Sequence, residues 1–575
     1  MTDIRRLDFT RDAVATWAQA DARHTNWPVV YVLDGSRKLY VGETTSAQKR
    51  MRQHLDGPKR EIGLNSIRVV VDEKFNKSVC LDLESHLIRW FSGDGQFSIL
   101  NGNDGLSDAQ YYDRELYRES FREVFEALRA EGLFSRSIPQ IENSDLFKLS
   151  PFKALTDDQA IAVSDIVEGL LEDLAHPDER STLVVQGDPG TGKTIIAIFL
   201  MKLLADIRDY AEIDDIEPDS MFSEFYVPEN RAILTNLRMA LVIPQQSLRE
   251  SVQRVFRKTP NLDPNMVLTA FQVGDADADF DLVLVDETHR LNQRSNQPSG
   301  PLNKKFSGIN VRLFGEDSPD RTQLDWIKAR SNHQLLLIDG AQSVRPHDLS
   351  PASLTQVVRE AKDEHRHFRL TTQMRVHAGA DYVEFVRATL RGESPPLPDL
   401  GEYDLRFFDD LGKMRAAIRE KDAEVGLSRL VAGYAWDWVS NPKRSEPAEF
   451  DIELDGERMR WNSTDKDWIN SPGSLEEVGS IHTVQGYDLN YAGVIIGPDL
   501  RLDGSGRIVA SLEDYRDKMG KLRTGSFRNG FADDDLLVFI RNVYGVLLTR
   551  GMLGTYVYVC DPKLRDRFQE VMATE

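Results

Sequence analysis

An α/β protein is the reading this sequence supports: a small α+β domain, then two domains each built on a parallel sheet, the first of them carrying a phosphate-binding loop. Three observations carry it. From residue 151 on, short and almost purely apolar runs alternate with stretches of helical periodicity: TLVVQG (182–187), ALVIP (240–244), LVLVDE (282–287), LLLIDG (335–340), GVIIGPD (493–499) and TYVYVC (555–560). Apolar strands separated by helices make parallel sheets covered on both faces. The segment Gly187–Thr194 fits G-x-x-x-x-G-K-[ST] in full, between an apolar strand and a helix. Ahead of both lies a stretch with a different, hairpin-like texture.

That stretch begins with two short strands, 29–33 (VVYVL) and 38–42 (KLYVG), around a turn at Asp34-Gly35. Residues 46–55 (SAQKRMRQHL) read as a helix, 66–73 (SIRVVVDE) as a further strand and 80–91 (CLDLESHLIRWF) as a helix. Together they predict a compact domain over 1–107. An amphipathic helix over roughly 108–133 is expected to act as a connector, and IPQIENSDLFKLSP (138–151) as a linker. The parallel-sheet domains then fall at 151–365 and 366–575. Within the second, FDIELDGERMRW (450–461) carries a hairpin signal at Asp455-Gly456 and reads as a small insertion near 440–475.

Composition excludes several classes. Of 575 residues, 41% are apolar and 29% charged, as in soluble globular chains. No apolar run approaches the roughly 18–20 residues of a membrane span, and the opening MTDIRRLDFT has no apolar core, so no signal peptide is expected. Two distant cysteines, Cys80 and Cys560, exclude a disulfide scaffold and a cysteine-based zinc site, and a cytoplasmic location is expected. The net charge of −22 is unevenly spread: residues 1–110 balance, with 15 basic and 15 acidic side chains, and part of the acidic excess lies in AEIDDIEPDS (211–220). A net charge of this sign argues only against non-specific coating of duplex DNA.

The phosphate-loop motif predicts ATP with Mg²⁺. Gly187, Gly190 and Gly192 would let backbone N–H groups wrap the phosphates at a helix N-terminus. Lys193 would neutralise the outer phosphates and the Thr194 hydroxyl would ligate the metal. In LVLVDETH, Asp286 suits a Mg²⁺ ligand and Glu287 the base that activates water, whereas His289 reads as a surface or packing residue. The plainer alternatives are a glycine-rich turn and an acidic helix cap. Asp339 and Gln342 (LLLIDGAQ), Gln373 and Arg375 (LTTQMR) and Arg550 (LLTRG) follow strands as candidate ATP sensors, the arginines reaching across a domain cleft to the γ-phosphate.

The order of these blocks resembles superfamily-1 helicases, specifically the Schlafen-group-3-like helicases, over roughly 150–575. ALTDDQ resembles the adenine-reading Q motif, which implies Gln159 on the base. VIPQQSLRESV is similar to motif Ia on the nucleic-acid path, and DETHR, DGAQ and LTTQMR to motifs II, III and IV. GSIHTVQGYDLNYAGVIIGPDL resembles motif V, with Gln485, Gly486 and Asp488 at its Q-G-x-[DE] positions, and NVYGVLLTRGMLGTYVY motif VI, in which Gly545 stands where relatives would carry Arg or Lys. The resemblance implies two RecA-like domains with ATP between them and translocation on a single strand; it does not distinguish DNA from RNA, and DNA is the expected track.

The N-terminal block Val30-Tyr31, Tyr40-Val41-Gly42, Arg50 and His54 resembles the GIY-YIG nuclease domain over about 27–105, with Val29-Val30-Tyr31 in place of Gly-Ile-Tyr and a short spacing between the tyrosines. Phosphodiester cleavage needs a base or activated water, a metal and a cation for the pentavalent phosphorus. Tyr31 and Tyr40 could act on the water, Arg50 and His54 share one helix face, Glu84 is a lone acidic ligand for Mg²⁺ or Mn²⁺, and Asn101 would close the site. All are expected to converge on one sheet face. The alternative is a catalytically dead nucleic-acid-binding remnant.

Three functions compete. The first is an ATP-driven motor coupled to an endonuclease, suited to defence against foreign DNA or to DNA repair. The second is an ATP-gated nuclease without processive unwinding, and the third a nucleic-acid clamp with an inactive nuclease domain. The motif V residues Gln485 and Gly486 favour the first.

Overall fold

A computed structural model of the chain describes residues 3–57, 63–101, 111–152, 155–176, 179–210, 222–294, 300–339, 348–373, 376, 378–440, 449–464, 468–484, 488–517 and 533–572. Two compact units divide it. One comprises Met1–Leu171, Ile195–Asn236 and Ser251–Met266, the other Glu172–Thr194, Leu237–Glu250 and Val267–Glu575. Among the described residues no helix is long and apolar enough to cross a membrane.

The first unit holds a five-stranded sheet of β1 (Asp3–Asp8), β2 (Val29–Gly35), β3 (Lys38–Thr44), β4 (Leu64–Val71) and β5 (Ser98–Ile99), in the order β1-β4-β2-β3-β5. The expected hairpin is β2–β3, which pairs Tyr31 with Gly42 and Leu33 with Tyr40. Strand alternation gives the sheet two buried faces. Val29, Tyr31, Leu33 and Tyr40 pack against α1 (Arg11–Ala20) and α2 (Ala47–Asp56). Val30, Val32, Leu39 and Val41 pack against α3 (Lys77–Asp94).

Two expectations are corrected here. The helix read as a connector, α4 (Arg114–Ala130), buries Phe121, Val124, Phe125 and Leu128 in the same core as α3, with Phe125 edge-on to Trp90 at 5.3 Å. Its apolar positions recur at helical spacing and so form a face that must be covered. The supposed linker is two short helices, α5 (Ile138–Glu142) and α6 (Asp145–Lys148). Ser137 and Gln140 form a reciprocal capping box at the start of α5, and the Ser144 side chain accepts from Phe147 N at the start of α6. Both lie so close to α3 that a Cβ on Gly93 would meet Ile141 and Phe147 side-chain atoms at 2.8 Å.

The second unit holds two large sheets. One is wholly parallel, with strands β6 (Ser181–Gly187), β7 (Met239–Val242), β8 (Val267–Leu268), β9 (Phe280–Val285), β10 (Ser331–Ile338) and β11 (His367–Leu370) in the order β11-β6-β10-β9-β7-β8. β11 starts beyond residue 365 and still pairs with β6. The other sheet has the order β12-β20-β17-β13-β16-β15-β14, from β12 (Asp404–Phe407), β13 (Ser428–Ala432), β14 (Ile452–Leu454), β15 (Glu457–Trp461), β16 (Glu477–Ser480), β17 (Leu489–Ile496) and β20 (Gly551–Val559). β18 (Leu500–Leu502) and β19 (Ile508–Ala510) form a separate antiparallel pair.

The Asp455-Gly456 signal is a real hairpin: both residues take positive φ, 51° and 79°, as a primed two-residue turn requires. It is not a free-standing insertion, because β15 continues the parallel sheet beside β16. The apolar runs of the sequence are the central strands, and residues such as Leu183–Val185, Leu282–Val285 and Val494–Ile496 are fully buried or nearly so.

Candidate functional site

β6 delivers the chain from the interior of the parallel sheet into the loop 188–192, and the helix Lys193–Asp209 leaves it. The loop turns where only glycine turns easily: Gly190 and Gly192 have φ of 89° and 80°. Gly187 is required by crowding, since a Cβ there would stand 2.4 Å from Thr191 Oγ1. Lys193 Nζ donates to the carbonyls of Gly187 (2.7 Å) and Asp188 (2.9 Å) and lies 3.6 Å from the Asp339 carboxylate. Thr194 Oγ1 donates to Asp286 Oδ2 at 2.7 Å, which joins the loop to the end of β9.

Asp286 is wholly buried, and Glu287 follows it with φ of 50°, a left-handed backbone that costs energy for a side-chain-bearing residue. The twist sets the two carboxylates apart. Asp286 turns to Thr194 and Glu287 to His289, whose Nε2 is 3.0 Å from Glu287 Oε2. Burial pushes the Asp286 carboxyl up, and the charge of Glu287 adds to this. Burial acts the same way on Glu287, but His289, Lys193 and Arg290 outweigh it and hold that carboxyl well below the usual range. His289 is fully buried, so the sequence reading of it as surface or packing missed a partner of Glu287. Its one available signal was its place two residues after Glu287 at a strand end.

Two further motifs close on this centre. Gln373, three residues after β11, donates through Nε2 to Pro189 O at 2.7 Å. Arg290 NH1 donates to Gln245 Oε1 at 3.1 Å, linking motif II to the motif Ia block. The family model described as "Schlafen group 3, DNA/RNA helicase domain" matches residues 180–561, which contain all of these groups. This chain belongs to that family. It is 27% identical, over 424 aligned residues spanning 69% of this chain and 84% of the relative, to a Saccharomyces cerevisiae protein described as uncharacterized protein YPL245W. Among solved structures it is similar to a Dbp5 variant from S. cerevisiae bound to two partner proteins, IP6 and ADP, with 11% identity, coverage of 73% of this chain and 92% of that one, and a TM-score of 0.23.

The remaining positions of the Schlafen group 3 helicase domain are placed as follows. Arg550 is 2% exposed, between the helix Asp533–Leu548 and β20, with its N–H on Leu547 O (3.1 Å) and its carbonyl accepting from Leu489 N (3.2 Å). Asp488 is half-buried ahead of β17. Gln342, Arg375, Gln485 and Gly486 lie outside the described residues. Gln159, upstream of the matched segment, is fully buried, and its Oε1 accepts from Thr156 N at 3.1 Å as part of a helix start.

In the first unit, Tyr31, Tyr40 and His54 do meet. Tyr31 Oη and His54 Nε2 are 2.7 Å apart, and the Tyr40 ring centroid lies 6.2 Å from that of Tyr31 and 5.3 Å from that of His54. Gly42 makes this possible: a Cβ there would fall 2.3 Å from Tyr31 Oη. Gly42→Ala should therefore drive the buried ring aside and destabilise the chain by about 1–3 kcal/mol, the range for overpacking. Urea unfolding checks this, and an unchanged midpoint would show that the ring is free to move. Asn101 exchanges two hydrogen bonds with the backbone of Val41, 2.8 and 3.0 Å, and so braces β3. Arg50 lies on α2, as expected.

Glu84 departs from the expectation of a single face. It lies on α3, which covers the sheet face opposite the tyrosines, and is 5% exposed. Burial, with Glu43 and Glu84 as neighbouring charges, pushes the Cys80 thiol up. Among the described residues no group of three or more His, Cys, Asp or Glu is set to hold a metal ion.

Proposed function

We propose that the chain is an ATP-dependent nucleic-acid helicase or translocase, acting on DNA before RNA, whose N-terminal domain is a metal-dependent endonuclease. The Lys193–Thr194–Asp286–Glu287 centre carries the motor half. Its oxygen donors fit Mg²⁺: a hydroxyl and a buried carboxylate, 2.7 Å apart at a helix N-terminus. When bound, the ion would be held by Thr194 and Asp286 and would neutralise charge on the outer phosphates. Glu287 orients water and takes its proton as the water oxygen bonds to the γ-phosphorus. The bond to the bridging oxygen breaks and its electron pair leaves on ADP. Lys193, now on its own loop carbonyls, shifts to the phosphates. Two separate RecA-like domains, the first running past residue 365 to include β11, and a cytoplasmic location complete this reading.

The nuclease half rests on the Tyr31–His54 hydrogen bond beside Tyr40, a pair able to pass a proton, with Glu84 as the lone carboxylate for Mg²⁺ or Mn²⁺. A second reading, an inactive nucleic-acid-binding module, is favoured by the place of α3 on the opposite face. One experiment separates them: ATPase, strand displacement and cleavage measured together on single-stranded, duplex and forked DNA and RNA. Glu84→Ala should abolish metal-dependent cleavage and leave the ATPase intact. Normal cutting by that variant would remove Glu84 from the chemistry, and no cutting by the unsubstituted chain with either metal would establish the binding module. A role in defence or repair would follow from the substrate that stimulates both activities.

A further inference from the structure

A cleft of about 290 Å³ opens beside the phosphate loop, within the second unit. Its lining includes Pro189, Arg387 and Arg391 of the helix Gly379–Arg391, and Arg541 and Gly545 of the helix Asp533–Leu548. The three guanidinium groups are differently engaged. Arg391 is matched by Glu393 (2.6 Å) and Glu384 (2.9 Å). Arg541 NH2 donates to Arg391 O at 3.4 Å. Arg387 is ion-paired to Asp188 of the phosphate loop itself, at 3.0 Å. At Gly545, one turn beyond Arg541, the cleft wall carries no side chain, and a Cβ there would meet only Leu390 Cδ1, at 3.7 Å.

We infer that Arg387 is a γ-phosphate-sensing catalytic residue, held by Asp188 while the nucleotide is absent and transferred to the terminal phosphate of a nucleoside triphosphate when it binds. The inference deepens the ATPase reading and rests on it. Asp188 places a negative charge on the loop that must receive a polyanion, and Arg387 offsets it. The pair is open to water, with side-chain exposures of 53% and 24%, so it is weakly held. A phosphate offers a guanidinium several charged acceptors in bidentate geometry and outcompetes one exposed carboxylate. A triphosphate brings more negative charge to the loop than a diphosphate does. The exchange therefore reports the γ-phosphate, moves the helix Gly379–Arg391 with it, and puts a second cation where charge builds up in the transition state.

The test is Arg387→Ala and Arg387→Lys in the full chain, with ATP turnover at saturating single-stranded DNA and calorimetric binding of ADP and a β,γ-imido ATP analogue. Arg387→Ala should lower kcat about 10²-fold or more and lose the preference for the triphosphate over ADP in binding. Arg387→Lys should recover part of each. Asp188→Asn, which frees Arg387, should bind the analogue several-fold more tightly. Equal kcat and an unchanged triphosphate preference in Arg387→Ala overturn the inference and leave the ATPase reading standing. An unsubstituted chain that binds neither nucleotide overturns both.

Discussion

Glu287→Gln is expected to bind ATP as the unsubstituted chain does and to turn it over about 10²–10⁴-fold more slowly, the span a positioned general base contributes. The amide keeps the volume and loses the proton acceptor. The left-handed backbone at Glu287 and the Asp286–Thr194 bond do not depend on the carboxylate, so nucleotide and metal contacts persist. The structure adds a second consequence, since Gln also discharges the partner of buried His289. Calorimetric nucleotide binding and phosphate release, measured on the same preparation, check this. Turnover at the unsubstituted rate would end the assignment of Glu287 as the base. Lys193→Ala gives the contrast: it should lose nucleotide binding itself, because the ammonium now held on the Gly187 and Asp188 carbonyls is the charge that would move to the phosphates.

Arg550→Ala should lose roughly 10³-fold or more in turnover, as loss of a transition-state arginine does, with a much smaller change in nucleotide affinity. Arg550 is almost fully buried at the junction of the helix Asp533–Leu548 with β20. Truncation therefore also leaves a cavity, and the melting temperature has to be read alongside the rate. Arg550→Lys keeps a cation with less loss of volume. A large kcat loss in Arg550→Ala with partial recovery in Arg550→Lys, at matched stability, assigns the charge. A loss that follows melting temperature alone in both variants would make Arg550 a structural residue.

The two variants probe parts of the molecule that were unequally legible. The parallel-sheet strands announce themselves because both faces are buried and the residues must be apolar throughout, as in LVLVDE and LLLIDG. The phosphate loop is legible because its glycines are dictated by positive φ and close approach. β1, read as DIRRLD, was missed: its residues are half-buried or exposed, so alternation never shows. α5 and α6 were missed because each is shorter than two turns and signalled only by its caps, Ser137 with Gln140 and Ser144. Asp188 and Arg387 are 199 positions apart, and no local pattern could pair them. Tyr31, Tyr40 and His54 are grouped in the sequence by the motif they resemble, whereas the face occupied by α3 is decided by packing of Leu83, Leu87 and Phe91, not by Glu84.

The burial of α4 against α3 sets how small a portable N-terminal piece can be. A fragment ending at 107 would leave Trp90, Phe91 and Ile88 facing water, since Phe121, Phe125, Leu128 and Phe134 are what cover them. Removing a single buried phenylalanine from such a core costs about 3–5 kcal/mol, and this cut removes several at once. Such a fragment would clump or be digested, and its lack of cleavage would say nothing about Glu84. A cut near 152, past α6, retains the cover. The transferable piece is therefore the N-terminal sheet together with its trailing helices, and a break at buried Leu133 should not be tolerated.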